Sequence, residues 1–198
     1  WTQGFQFGCQ ILLFDVSGDK TFWEIGRKNT LEHMPAHVSH CGVHDHGFNI
    51  ISTYGNLRRL VLEGLVQESE DFLNVCEMAL KLSGAVQAMR WTQLPDGEGY
   101  IYSFNGPHSL FCDTIRSCRS LVLAHQLGHF LAGENDRHIS LLERAVVHAS
   151  TTSKYNVYWG KGRDVYDVPG RVAHESLFNI VDGKYRCPST QQGYSPFS

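Results

Sequence analysis

The sequence predicts an all-α fold of antiparallel helical hairpins, part of an (α/α) toroid, and three observations predict it. Apolar residues recur at i+3, i+4 and i+7 through most of residues 4–152, the period of half-buried helices. Two short polar breaks, Ser17-Gly18-Asp19 and Ala132-Gly133-Glu134-Asn135, divide periodic stretches into pairs, and short turns make antiparallel neighbours. Long loops precede each pair, so they gather at one end of the assembly, where a helical scaffold displays function. Three such pairs close a core less completely than six. The chain therefore reads as a single partial domain over 1–198, about half of a six-hairpin barrel.

The first helix covers Gly4 to Val16, with Phe5, Cys9, Leu12, Leu13 and Val16. After the Ser17-Gly18-Asp19 break, a second runs from about Lys20 to His33, with Phe22, Ile25 and Gly26 on one face. A third follows "CGVHDHGF" (41–48) and shows Ile51, Tyr54, Leu57, Val61 and Leu65. The fourth extends from about Glu68 to Met89, the fifth from about Asp113 to Leu131, the sixth from about Asp136 to Thr152. Pro95-Asp96-Gly97-Glu98-Gly99 makes a turn within an irregular aromatic segment. From 153 to 198 the helical period fails. "KYNVYWG" and "HESLFNIVDGKYRC" read as short strands with Asp182-Gly183 as a hairpin turn, a β-ribbon lying over the loop face.

Composition narrows the function classes. A net charge of −3 without a Lys/Arg cluster argues against a nucleic-acid partner. No apolar run reaches membrane-spanning length. Aromatic residues at 12% suit a carbohydrate binder, whose indole and phenol faces stack on sugar rings, and also suit an ordinary core. The six cysteines form no CxxC and read as reduced, small hydrophobes. The stretch that starts at Trp1 does not read as a signal peptide. Both ends read as cut.

Asp45 stands immediately before a helix, where Asp most often caps by accepting a backbone N–H. A metal reading would use His40, Cys41, His44 and His46, but ligands drawn from one loop rarely suffice. Asp113 heads the fifth helix with the same cap alternative. Two aspartates at equivalent helix starts on one face raise a third reading. One carboxylate pushes its neighbour towards the protonated form, and such a pair suits acid–base chemistry on a sugar. Trp1 and Phe5, one helical turn apart, form either an aromatic face or core packing. His174 and Gln192 on the ribbon are uninformative by themselves.

Four stretches in order, "WTQGF", "HDHGF", "DTIRS" and "QQGYS", resemble motifs of the unsaturated glucuronyl hydrolases, glycoside hydrolase family 88. The related unsaturated rhamnogalacturonyl hydrolases share the fold and both aspartates. The resemblance implies a six-pair (α/α) barrel that needs no cofactor or metal. Its partner would be an oligosaccharide ending in a Δ4,5-unsaturated uronic acid, removed by hydration of the vinyl ether. Asp113 matches the general acid/base and Asp45 the second carboxylate. Trp1, Phe5, His44, His174 and Gln192 match substrate-binding positions. Gln191 stands where the family has histidine, and "YNVYWGKGRDVYDVPGR" is longer than the family's strand there. The family's substrate-binding arginine after the terminal motif has no counterpart in this chain, which by itself is expected to be inactive. A non-catalytic helical toroid that binds glycans or proteins is the other class.

Overall fold

The computed structural model describes residues 1–189. Helices α1 (Thr2–Ser17) and α2 (Lys20–His33) form the first hairpin. Gly18 at φ 72° closes α1, and the Asp19 carboxylate caps α2 by accepting the Thr21 N–H at 2.9 Å, so the polar break works as a C-cap followed by an N-cap. The two helices nearly touch at Gly26, where a Cβ would sit 2.7 Å from Ile11 Cγ1.

A short turn, α3 (Pro35–Val38), leads to the 39–45 loop. The third expected helix is interrupted. It comprises α4 (His46–Asn49), a π-helical turn at Ile51–Gly55 and α5 (Asn56–Leu62). Backbone crowding accompanies the break. A Cβ on Gly4 would lie 2.5 Å from Asn49 Cα, and one on Gly8 2.8 Å from the Ser52 carbonyl oxygen. The Ser52 carbonyl accepts the Asn56 side-chain amide at 3.0 Å, and the Thr53 hydroxyl donates to the Asn49 carbonyl at 2.7 Å. Side chains thus serve carbonyls whose helical partners shift in a π-turn.

Helix α6 (Glu70–Met89) begins at a Ser69 cap and packs on α7 (Cys118–Gln126), which packs on α8 (Leu141–Tyr155). Between α6 and α7 run β1 (Trp91–Gln93), β2 (Gly99–Ile101) and β3 (Ser109–Phe111), then a 3₁₀ turn at Cys112–Ser117. The fifth helix is therefore shorter than its periodicity suggests. It starts five residues beyond Asp113 and ends before Gly128, whose φ of 74° terminates it. The break after it is an antiparallel pair, β4 (Leu131–Ala132) with β5 (His138–Ile139), and α8 starts at the Ser140 cap.

The ribbon contains β6 (Glu175–Phe178) and β7 (Tyr185–Ser189), with Gly183 at φ 68° between them. Strand order is β3-β6-β7, all antiparallel, with Phe111 opposite Glu175. "KYNVYWG" supplies one bridge, Val157 to Val172. Ile11, Met34, Ile50, Leu57, Leu60 and Leu80 centre the largest core cluster. A second lies among α6, α7 and α8, and a third beneath the ribbon around Tyr100, Leu110 and Phe178. All six cysteines are free. Only Cys76 is fully buried, and burial pushes its thiol up to about 12. Cys9, Cys41 and Cys187 are exposed, so the small-hydrophobe reading does not fit those three. Among the described residues, no helix is long and apolar enough to cross a membrane.

Candidate active site

The 39–47 loop reaches its position through buried polar ties to the end of α6. Arg90 donates to the carbonyls of Cys41, Tyr102 and Ser103, and Gln87 donates to the Val43 carbonyl at 3.1 Å. His46 is fully buried, with Nε2 at 2.9 Å from the His40 carbonyl and Nδ1 at 3.0 Å from the Ser83 hydroxyl. Burial first, then the neighbouring His40 and Arg90 charges, lowers it to about 4. It is a neutral strut, and both ring nitrogens are already engaged.

Two backbones meet at Gly47. A Cβ there would stand 2.4 Å from the Arg116 carbonyl oxygen and 2.8 Å from the Ser117 nitrogen. The Ser117 hydroxyl donates to the His44 carbonyl at 2.5 Å and accepts the Gly47 N–H at 3.4 Å. Arg116 Nε donates to the Gly47 carbonyl at 3.2 Å. These contacts lock the start of α4 against the 3₁₀ turn that holds Asp113.

His44 is the centre of the result, at 1% exposure. Its Nδ1 accepts the Phe104 N–H at 3.2 Å, which leaves the ring proton on Nε2. Nε2 lies 3.3 Å from Asp113 Oδ1 and 3.9 Å from Asp45 Oδ1. One imidazole edge therefore faces both carboxylates. Asp45 is buried, while the Asp113 side chain is 47% exposed and open to solvent. Asp45 occupies the N-cap position of α4, yet its side chain makes no capping hydrogen bond. Asp113 likewise makes no hydrogen bond to a main-chain amide among the described residues. The cap alternative fails for both.

The ring is clamped by aromatics. Phe104 stacks on His44 at 5.7 Å with planes 9° apart, and Phe111 meets it edge-on at 5.3 Å. His174 lies 4.9 Å beyond Phe111, brought there because β6 pairs with β3. A second aromatic run goes from Trp1 to Phe5 at 5.9 Å and from Phe5 to Phe48 at 5.8 Å, both edge-on. Trp1 is 61% exposed, so this run is a surface platform, not core packing. Gln192 lies outside the described residues. Phe104's main chain is held by a buried network. The Glu175 carboxylate accepts from Asn105 at 3.0 Å and from the Ser109 hydroxyl, which also contacts the Ser103 hydroxyl.

Sequence reasoning missed Phe48, Phe104, Phe111, Arg116 and Ser117. Phe48 closes the "HDHGF" stretch and Phe111 stands two residues before Asp113, so adjacency could have found them. Phe104 carries no local signal, because its role depends on the turn that folds it back over His44.

The fold and site define a helical-hairpin scaffold with two carboxylates gathered round one buried histidine. Solved structures of the same architecture are unsaturated glucuronyl hydrolases. One specific for heparin superposes with a TM-score of 0.71 at 21% identity, over 98% of this chain and 45% of its own. One from Streptococcus agalactiae gives 0.70 at 19% identity, over 98% and 43%. The enzyme from Bacillus sp. GL1, responsible for the degradation of glycosaminoglycan, gives 0.63 at 16% identity, over 95% and 44%. The chain thus has the fold of these enzymes and spans less than half of their length. No family model and no curated protein matches the sequence.

Proposed function

We propose that these residues form part of a glycoside hydrolase that removes Δ4,5-unsaturated uronic acid from the non-reducing end of lyase-generated oligosaccharides. One observation carries this reading: Asp113 and Asp45 share the protonated edge of His44, with the former open to solvent and the latter buried. His44 Nε2 stands 3.3 Å from Asp113 Oδ1 and so orients that carboxyl group. Asp113 in its acid form protonates C4 of the sugar's C4=C5 bond. Positive charge develops at C5 and the ring oxygen, where the buried Asp45 carboxylate stabilises it. Asp113, now the base, takes a proton from the water that adds at C5. The C5 hemiketal opens to a ketone and the released C1 hemiacetal expels the leaving sugar. The Trp1–Phe5–Phe48 run provides apolar edges beside the carboxylates for the sugar rings.

The test is loss of the ultraviolet absorbance of the unsaturated uronate, followed with chondroitin, heparin, ulvan, alginate and gellan lyase products in the full-length protein. General acid–base assistance is worth about 10²–10⁴-fold. Asp113→Asn should lower kcat by that order while the substrate still binds. Intact turnover with lost binding would contradict the assignment, and no decay with any product would favour a binding module instead.

A further inference from the structure

We infer that Glu175 is a positioning residue of this site. It holds the turn that aims the Phe104 N–H at His44, and so keeps the imidazole proton on the edge facing Asp113 and Asp45. The inference rests on the hydrolase reading above and adds a residue that acts on the reaction through His44. Glu175 is 2% exposed and sits in β6 directly opposite Phe111. Its Oε1 accepts the Asn105 side-chain amide at 3.0 Å and the Ser109 hydroxyl. A carboxylate only accepts, so the Ser109 hydroxyl hydrogen is committed there. The Ser103 hydroxyl then donates to Ser109 Oγ, and its own oxygen accepts the Asn105 main-chain N–H at 3.1 Å. This chain of bonds runs in one direction, from the Asn105 amide to Glu175, and successive bonds polarise one another.

The turn held in this way delivers one amide. The Gly106 N–H donates to the Ser103 carbonyl at 3.1 Å, which makes a β-turn with Phe104 and Asn105 at its centre. The turn's own hydrogen bond does not use the Phe104 N–H. That group donates to His44 Nδ1 at 3.2 Å, while the Phe104 ring stacks on the imidazole. A ring nitrogen that accepts does not carry the proton, so the tautomer follows from the turn. The other tautomer would set a bare Nε2 lone pair against the carboxylates of Asp113 and Asp45, 3.3 and 3.9 Å away. Main-chain pairing adds to the hold. The Cys112 N–H donates to the His174 carbonyl at 2.9 Å, so β6 fixes the strand entering Asp113 as well as the turn over His44.

The experiment records the ring-nitrogen shifts of His44 in full-length protein carrying nitrogen-labelled histidine, assigned with His44→Gln. The unsubstituted protein should show a bare Nδ1 and a protonated Nε2. Glu175→Leu removes the acceptor at similar size and should move proton density to Nδ1. In the ultraviolet assay it should lower kcat at least about tenfold and leave KM within about threefold. Glu175→Gln keeps an acceptor at Oε1 and should recover most of both effects. Ser109→Ala breaks the same chain at a small side chain and should shift the tautomer in the same direction. It decides the question if the leucine variant does not fold. A lower Tm with tautomer and kcat unmoved would make Glu175 merely structural and overturn the inference, as would a protonated Nδ1 in the unsubstituted protein. The nitrogen shifts need no substrate. Absence of turnover with every lyase product would fail the hydrolase reading, while the tautomer would still uphold or overturn the hold of Glu175 on His44.

Discussion

Gly47→Ala is the sharpest test of how the site is assembled. The added methyl would lie 2.4 Å from the Arg116 carbonyl oxygen, 2.5 Å from its carbonyl carbon and 2.8 Å from the Ser117 nitrogen. All three are main-chain atoms, so no side-chain rotation relieves them. Ordinary contact begins near 3.4 Å, so α4 and the 112–117 turn must separate by about 1 Å. Overpacking of this kind costs about 1–3 kcal/mol. At 198 residues that would be a fall in Tm of about 2–4 °C per kcal/mol, and in the longer full-length protein a smaller one. The same movement stretches the Ser117–His44 and Arg116–Gly47 hydrogen bonds and draws Asp113 away from His44. A misplacement of about 1 Å at reacting groups can cost about 100-fold in rate. Thermal unfolding and the ultraviolet assay, run on the same full-length preparation, read the two effects. An alanine variant with unchanged Tm and unchanged kcat would refute the claim that close backbone approach at Gly47 builds the site.

Acid sensitivity follows from the buried histidines. Burial lowers His46 and His148 to about 4 from an ordinary 6.5. Between those pH values the unfolded chain binds more protons, so stability is full above pH 6.5 and declines as pH falls towards 4, by roughly 3 kcal/mol for each. Urea titrations across that window should show the slope, and it should flatten in His46→Gln; an unaltered slope would contradict burial as its cause. Arg90→Lys should destabilise by about 3 kcal/mol or more, because one ammonium cannot reach the carbonyls of Cys41, Tyr102 and Ser103 together; denaturant midpoints that match the unsubstituted protein would exclude this. Trp1→Ala, by contrast, should change stability by less than about 0.5 kcal/mol at its exposed position and raise KM, and a large drop in Tm would return Trp1 to the core.

The pairing of helices is legible in local patterns of the chain. The periodic faces of α1, α2 and α6 are local signals. The same holds for the hairpin glycine Gly183 and for Asp19, which caps where a polar break suggests it. The bounds of α2 follow directly, Lys20–His33. Periodicity stopped being sufficient wherever two backbones touch. At Gly4, Gly8 and Gly47 the contact surface is main chain against main chain, and the partner segment is remote in sequence. The third and fifth helices break there into π and 3₁₀ turns, although their apolar spacing continues through the break. Those irregular turns set the site. Asp45 and Asp113 are 68 residues apart in the chain, each legible as a helix-start acid. Only tertiary packing removes their capping role and turns both towards His44. Phe104 and Arg116 acquire meaning the same way, one through a folded-back amide and the other through its contacts with Gly47 and Phe48. Local patterns fix which segments are helical; the angle at which helices lock, and hence which side chains converge, depends on contacts between distant parts of the chain.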